Sequence, residues 1–270
     1  GRHDRIVLDR GLGYLSYRDD APPVTSETIY DLASLTKVLV TTTLAMLYYE
    51  RGLLDLDGPV KDYIAEFHGG DKDQVRIKDL LAHCSGLAWW ADLHKRFEGK
   101  TPAETKVKYL QAICEMPLNY PPRTRAVYSD LGFILLGEIL ERIGKEQLDT
   151  LAKTCIFEPL GMVDTAFYRD SADAGRYAEI YSPSGDGLAK VPDSPVVTSD
   201  KRLVYSAGYP YGASRTYFSG GAGLTSTITD YARFLLALLN GGELDGARIL
   251  GPRTVQLMTR DHLVGLGVAP

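Results

Sequence analysis

The chain has 270 residues, 44% of them apolar and 24% charged, an ordinary globular composition with enough length for one large domain or two modest ones. Its net charge of −5 is spread over 30 basic and 35 acidic residues with no basic stripe, so the electrostatic footprint of nucleic-acid binding is missing. No apolar run reaches the roughly 18–20 residues of a membrane span, and the sequence reads as soluble. It does not begin with Met, so a signal peptide ahead of Gly1 is neither recognised nor dismissed, and compartment and oligomeric state stay unassigned.

Cysteines Cys84, Cys114 and Cys155 are odd in number and lack Cys-x-x-Cys spacing, which suits buried small apolar side chains rather than a disulfide framework. His3, His68, His83, His94 and His262 show no metal-ligand spacing, and no metal or other cofactor is expected.

In chain order, Arg5 to Tyr17 is rich in Ile, Val, Leu and Tyr and broken by Gly11 and Gly13, which predicts two short strands and a turn. Pro22 and Pro23 break the chain, Thr28 to Asp31 reads as extended, and an apolar helical pattern runs from about Ser34 to Glu50, closed by Gly52. Further helices are expected at Ile77 to His83, Ala103 to Glu115, Asp130 to Ile143 and Glu146 to Phe157. Tyr168 to Gly220 carries Pro, Gly, Ser and Tyr without helical period and reads as loops and short strands. Thr227 with Asp230 is a capping-box signature for a helix to about Leu239, and Pro252 to Met258 reads as a last short helix. No repeat or low-complexity tract is present.

Ser34-Leu35-Thr36-Lys37 at a helix start puts a hydroxyl and an amine one turn apart on one face. A serine hydroxyl needs a base to become a nucleophile, and an amine stripped of water is one group that can take the proton. The helix N-terminus favours developing negative charge. A Ser-x-x-Lys arises about once by chance in a chain of this size, and by itself it reads as a capping serine beside a solvated lysine.

The surrounding segment, Thr28-Ile29-Tyr30-Asp31-Leu32-Ala33-Ser34-Leu35-Thr36-Lys37, resembles the nucleophile region of the class C β-lactamase, penicillin-binding protein and family VIII carboxylesterase group. Tyr128-Ser129-Asp130-Leu131-Gly132 resembles that group's Tyr-x-Asn motif, and Ile77 to Leu87 and Phe218 to Leu224 resemble two of its structural signatures. The resemblance covers nearly all of the chain and implies an α/β (α+β) β-lactamase/transpeptidase-like fold, an antiparallel sheet flanked by helices with a large mainly helical insertion. The expected division is 1–60, a sheet-and-helix part with the nucleophile; 61–260, mainly helical with surface loops; and 261–270, the start of a returning strand around Leu266-Gly267-Val268.

The resemblance implies a serine hydrolase working through an acyl-enzyme on a small-molecule ester or amide. Ser34 is then the nucleophile, Lys37 and Tyr128 its activating partners, and Asp130 a substrate-binding residue. Asp130 stands where class C enzymes carry asparagine, and an ionised carboxylate accepts hydrogen bonds but cannot donate them to a substrate amide. That weakens lactam recognition and puts a carboxylesterase ahead of a β-lactamase or D-alanyl-D-alanine carboxypeptidase. Ser129-Asp130 also matches the first two letters of the class A Ser-Asp-Asn motif, which Leu131 breaks.

The group's third motif, Lys-Thr-Gly or His-x-Gly near the C-terminus, has no match after Gly220. It would carry half of the oxyanion hole, the other half being the backbone N–H of Ser34. The expectation is therefore a chain that continues past Pro270 and starts before Gly1, with a non-catalytic binding module or incomplete fragment as the reading of another class. His83 reads as a satisfied side chain ending an apolar helix, Tyr128 equally as a buried tyrosine ahead of the next helix, and the glycine run at Gly220 as a close backbone passage at the site floor. Trp89, Trp90 and tyrosines Tyr205, Tyr209, Tyr211 and Tyr217 are candidates for a substrate pocket or for packing over the core.

Overall fold

The computed structural model describes residues 9–91, 93, 102–167, 171–191, 196–197, 203–204 and 219–268. Its centre is a pair of apolar helical segments. The first starts as a π-helix, Lys37–Thr42, and runs on as an α-helix, Thr43–Glu50. The second, Asp130–Gly144, buries Leu131, Leu135, Leu136, Ile139 and Leu140, a stripe at three- and four-residue spacing that faces one core. Leu39, Val40, Leu44 and Leu47 of the first segment meet that stripe, and Phe234 and Ala237 of helix Ile228–Leu239 belong to the same cluster.

The continuous helix expected from Ser34 to Glu50 is thus a turn, a π-helical stretch and an α-helix. Thr43 Oγ1 donates to Val38 O at 2.9 Å, five residues back, the partner a wide turn brings near. The helix expected over Glu146 to Phe157 divides the same way, into Leu148–Ala152 and a π-helical Lys153–Phe157. Helices Ile77–Leu81, Pro102–Glu115 and Pro252–Thr259 lie within a few residues of expectation. Gly52 takes the left-handed φ of 69° that ends the first helix. Thr227 Oγ1 accepts from Asp230 N at 3.3 Å, half of the expected capping box, while the Asp230 carboxylate accepts from Asp164 N and Thr165 Oγ1.

Among the described residues strand pairing is confined to two-stranded pieces. Tyr30–Asp31 runs antiparallel to Thr225–Ser226, in the register Tyr30 to Ser226 and Asp31 to Thr225, and places the chain just ahead of Ser34. Tyr181–Ser184 and Gly187–Lys190 form a hairpin. Gly267–Val268 does pair, but parallel to Arg125–Ala126. In 9–17, the described part of Arg5 to Tyr17, a single bridge from Tyr14 to Pro23 replaces the two expected strands. Gly13 has φ 83°, and a Cβ on Gly11 would sit 1.8 Å from Val24 O, so the glycines bend this stretch across its neighbour. No helix among the described residues is long and apolar enough to cross a membrane.

Gly220 threads between the two central segments. A Cβ there would lie 2.3 Å from Phe133 O and 3.1 Å from the Cα of Gly137, and Thr41 Oγ1 donates to Gly220 O at 2.7 Å. This is the close backbone passage expected for the glycine run. Gly220→Ala, which must displace main chain rather than a flexible side chain, is expected to lower the unfolding free energy by about 1–3 kcal/mol, read as a lower urea midpoint at unchanged slope.

Candidate active site

Asp31 starts the site. Its Oδ1 accepts from Ala33 N at 2.7 Å, a local turn that Asp favours, and Ala33 takes φ 43°, uncommon for a residue with a Cβ. Burial pushes the Asp31 carboxyl above its ordinary pKa, with the Ala33 N–H opposing the shift. Thr36 Oγ1 donates to Ala33 O at 2.6 Å and accepts from Leu224 N at 3.1 Å, while Leu32 N donates to Leu224 O at 2.9 Å. The turn is thereby tied to the strand beside it. Ser34 stands exposed at its apex, and among the described residues its backbone N–H carries no hydrogen bond.

Lys37, one turn on, has a side chain only 3% exposed. Its Nζ donates to Ser34 Oγ at 2.9 Å, to Asp130 Oδ1 at 2.5 Å and to Gly221 O at 2.8 Å. An ammonium has three donors, and all three are used. The same nitrogen lies 4.9 Å from the centroid of the Tyr128 ring and 5.7 Å from that of Phe133, within cation–π range.

Tyr128 is half exposed at 50%, not buried, and sits just before helix Asp130–Gly144. Ser129 is that helix's N-cap: its Oγ accepts from Gly132 N at 3.3 Å and donates to Ala88 O at 2.7 Å. Asp130, at the first helical position, donates its N–H to Trp89 O at 2.9 Å, and its carboxylate gains from the helix N-terminus. Two stretches are zipped together here, since Arg123 N donates to Cys84 O and Val127 N to His83 O. Arg123 also pairs with the buried Asp79.

All four residues singled out from the sequence, Ser34, Lys37, Tyr128 and Asp130, therefore meet around one ammonium. Asp130 was expected to face substrate, and one of its oxygens is taken by Lys37. Sequence reasoning passed over Asp31, Thr36 and the Gly221 carbonyl. Asp31 was legible as an Asp two residues before a turn; the glycine run announced the main chain at the site floor, but not that the Gly221 carbonyl would be the group that meets Lys37. Trp89 is exposed, with its ring 5.9 Å from that of Trp90. Tyr205, Tyr209, Tyr211 and Tyr217 lie outside the described residues. The cysteines are free, Cys84 and Cys114 buried and Cys155 partly so, and burial pushes the Cys84 and Cys114 thiols up to about 11, which suits an inert packing role.

The chain is 33% identical over 297 residues to a Salmonella gallinarum protein named "Putative D-alanyl-D-alanine carboxypeptidase", covering 98% of this chain and 66% of that one. The chain thus spans about two thirds of the length of that curated relative. Among solved structures it is similar to EstCE1, described as a hydrolase with promiscuous acyltransferase activity. There the TM-score is 0.78 at 24% identity, over 99% of this chain and 73% of that one. It is also similar to a class C beta lactamase from Rhodobacter sphaeroides, with TM-score 0.64 and 25% identity over 91% of this chain and 60% of that one. These neighbours carry the β-lactamase/transpeptidase-like fold expected from the sequence. The Beta-lactamase family model matches residues 1–269, and the chain belongs to that family.

Proposed function

We propose that this chain carries the acylation site of a serine hydrolase, with Ser34 as nucleophile, and that esters of small carboxylic acids are its preferred substrates. The observation that carries the reading is the bond from Lys37 Nζ to Ser34 Oγ, made by a buried ammonium whose other donors are held by Asp130 and Gly221. Two acceptors, the Asp130 carboxylate and the Gly221 carbonyl, hold Lys37 Nζ in place beside Ser34 and Tyr128. Tyr128 is the base, and Lys37 supports it: a cation against the ring stabilises negative charge on a phenolate.

In the first step Ser34 Oγ attacks the ester carbonyl carbon and its proton passes to the Tyr128 oxygen. The tetrahedral oxyanion is met by the Ser34 N–H at the turn, and collapse expels the alkoxide, which takes the proton back from Tyr128. Water then attacks the acyl-enzyme with Tyr128 again as base, releasing the acid and restoring the Ser34 hydroxyl. No cofactor enters either step.

A second reading, D-alanyl-D-alanine carboxypeptidase or β-lactamase activity, is favoured by the name of the relative at 33% identity. Against it stands Asp130, an acceptor-only side chain when ionised. A non-catalytic binding module on this fold is the reading of another class. Fluorophosphonate labelling followed by intact mass, on this chain and on any longer form that contains it, separates these readings. A single adduct that disappears in Ser34→Ala is expected, whereas a folded longer form that takes no adduct would leave the binding module in front.

Asp130→Asn retains the size of the side chain while removing its charge and adding a donor. It is expected to lower kcat for p-nitrophenyl esters by about tenfold, since a buried ammonium loses its counter-ion. The same change is expected to raise turnover of a chromogenic cephalosporin or a D-alanyl-D-alanine peptide relative to the ester. An unchanged ratio of amide to ester turnover would count against Asp130 as the specificity element.

A further inference from the structure

His83 lies outside the four residues discussed above, and it holds Tyr128 from three directions. Its carbonyl accepts from Val127 N at 2.9 Å, its Nδ1 accepts from Ser129 N at 3.0 Å, and its ring centroid is 4.5 Å from that of Tyr128 at a tilt of 33°. Phe133 lies 5.1 Å from the same imidazole. Both main-chain amides flanking Tyr128 are therefore bound to one residue, whose ring also stacks against the phenol.

The backbone carries a matching signature. His83 has φ 56°, a left-handed conformation open to Gly that most other side chains avoid, with Asn, Asp and His the commonest exceptions. Cys84 N and Val127 N both bond across this bend, to Asp79 O and His83 O, so the neighbouring chain holds the conformation in place.

We infer that His83 is a positioning residue for the reaction proposed above: by binding the amides on either side of Tyr128 and stacking on its ring, it fixes the phenol beside Lys37. This rests on the serine-hydrolase reading and deepens it. A backbone N–H can only donate, so Nδ1 presents its lone pair to Ser129 and the ring proton sits on Nε2. Partial burial first, and Lys37 second, hold the imidazole down at about 4, with Asp130 opposing. The charged groups facing the ring are thus Lys37 and Asp130, and the imidazole is neutral at pH 7. As pH falls through about 4, a proton on Nδ1 sets donor against donor at Ser129 and releases one side of the hold.

Two variants and one measurement on the unmodified protein test this. His83→Gly accepts the left-handed backbone but removes both acceptor and ring; His83→Asn accepts it and presents Oδ1 near the place of Nδ1. Each is checked for folding by circular dichroism, then assayed for p-nitrophenyl ester hydrolysis and for the rate of Ser34 phosphonylation by a fluorophosphonate. His83→Gly is expected to lower kcat and the phosphonylation rate by about 10- to 100-fold, the scale of a misplaced catalytic group, with KM within about twofold. His83→Asn is expected to recover most of that loss.

In the unmodified protein, 15N-histidine NMR at pH 7 is expected to find Nε2 protonated and Nδ1 not. A folded His83→Gly variant with wild-type kcat overturns the inference, as does a proton found on Nδ1 at pH 7. That second result decides the matter if His83→Gly does not fold. Failure of the unmodified protein to take any label at Ser34 instead defeats the hydrolase reading itself, and this inference with it.

Discussion

Taking an ammonium out of water is costly unless each of its donors finds an acceptor, and Lys37 meets that condition with one neighbouring group and two from distant stretches of chain. Ser34 lies three residues before it, Asp130 ninety-three after and Gly221 one hundred and eighty-four after. The start of helix Asp130–Gly144, the glycine run and the turn ahead of Lys37 must therefore converge on one point. Each has its own device for doing so. Gly137 and Gly220 let main chains approach closely, Ser129 caps the helix, and Asp31 and Thr36 tie down the turn. Core and site are consequently one construction, since loosening any of these contacts leaves a buried donor unmet.

The pairing with Asp130 also sets the electrostatics at Ser34. An unpaired lysine would present a full positive charge beside Ser34, whereas the pair presents a dipole whose negative end lies at the start of a helix. The helix N-terminus lowers the cost of the carboxylate, and the carboxylate lowers the cost of the ammonium. What remains for the proposed reaction is directional: one N–H of Lys37 aimed at Ser34 Oγ and a cation against the Tyr128 ring. Such fixed donors require little reorganisation as charge develops, which is how preorganised sites lower barriers.

Sequence reasoning reached the contacts that local pattern controls. The Ser34–Lys37 spacing, the Thr227 cap and the leucine and isoleucine stripe of Asp130–Gly144 are set within one or two helical turns, and residue identity is enough to read them. Partners across the chain were out of reach. That Ser129 N would find His83 Nδ1 forty-six residues away depends on how two loops zip together, and that Lys37 would use a glycine carbonyl depends on a main-chain path that no side chain announces. The π-helical turn at Lys37–Thr42 was missed for a similar reason. It goes with Thr43 bonding back to Val38 and Thr41 bonding across to Gly220, and a periodicity count treats those threonines as ordinary helix positions. Over 9–17 the two strands expected in Arg5 to Tyr17 give way to a single bridge, because Gly11 and Gly13, read as the turn between them, instead bend the stretch across Val24.

The choice of acceptors around Lys37 suits a site that changes its own chemistry. In the proposed cycle Ser34 Oγ passes from hydroxyl to ester oxygen and back, and an ester oxygen is the poorer acceptor. The Gly221 carbonyl and the Asp130 carboxylate take part in no bond change, and a main-chain carbonyl does not titrate in the working range. Two of the three bonds that hold Lys37 therefore persist while the third varies. The ammonium stays beside Tyr128 through both halves of the reaction, so the base that served acylation meets the water of deacylation in the same surroundings.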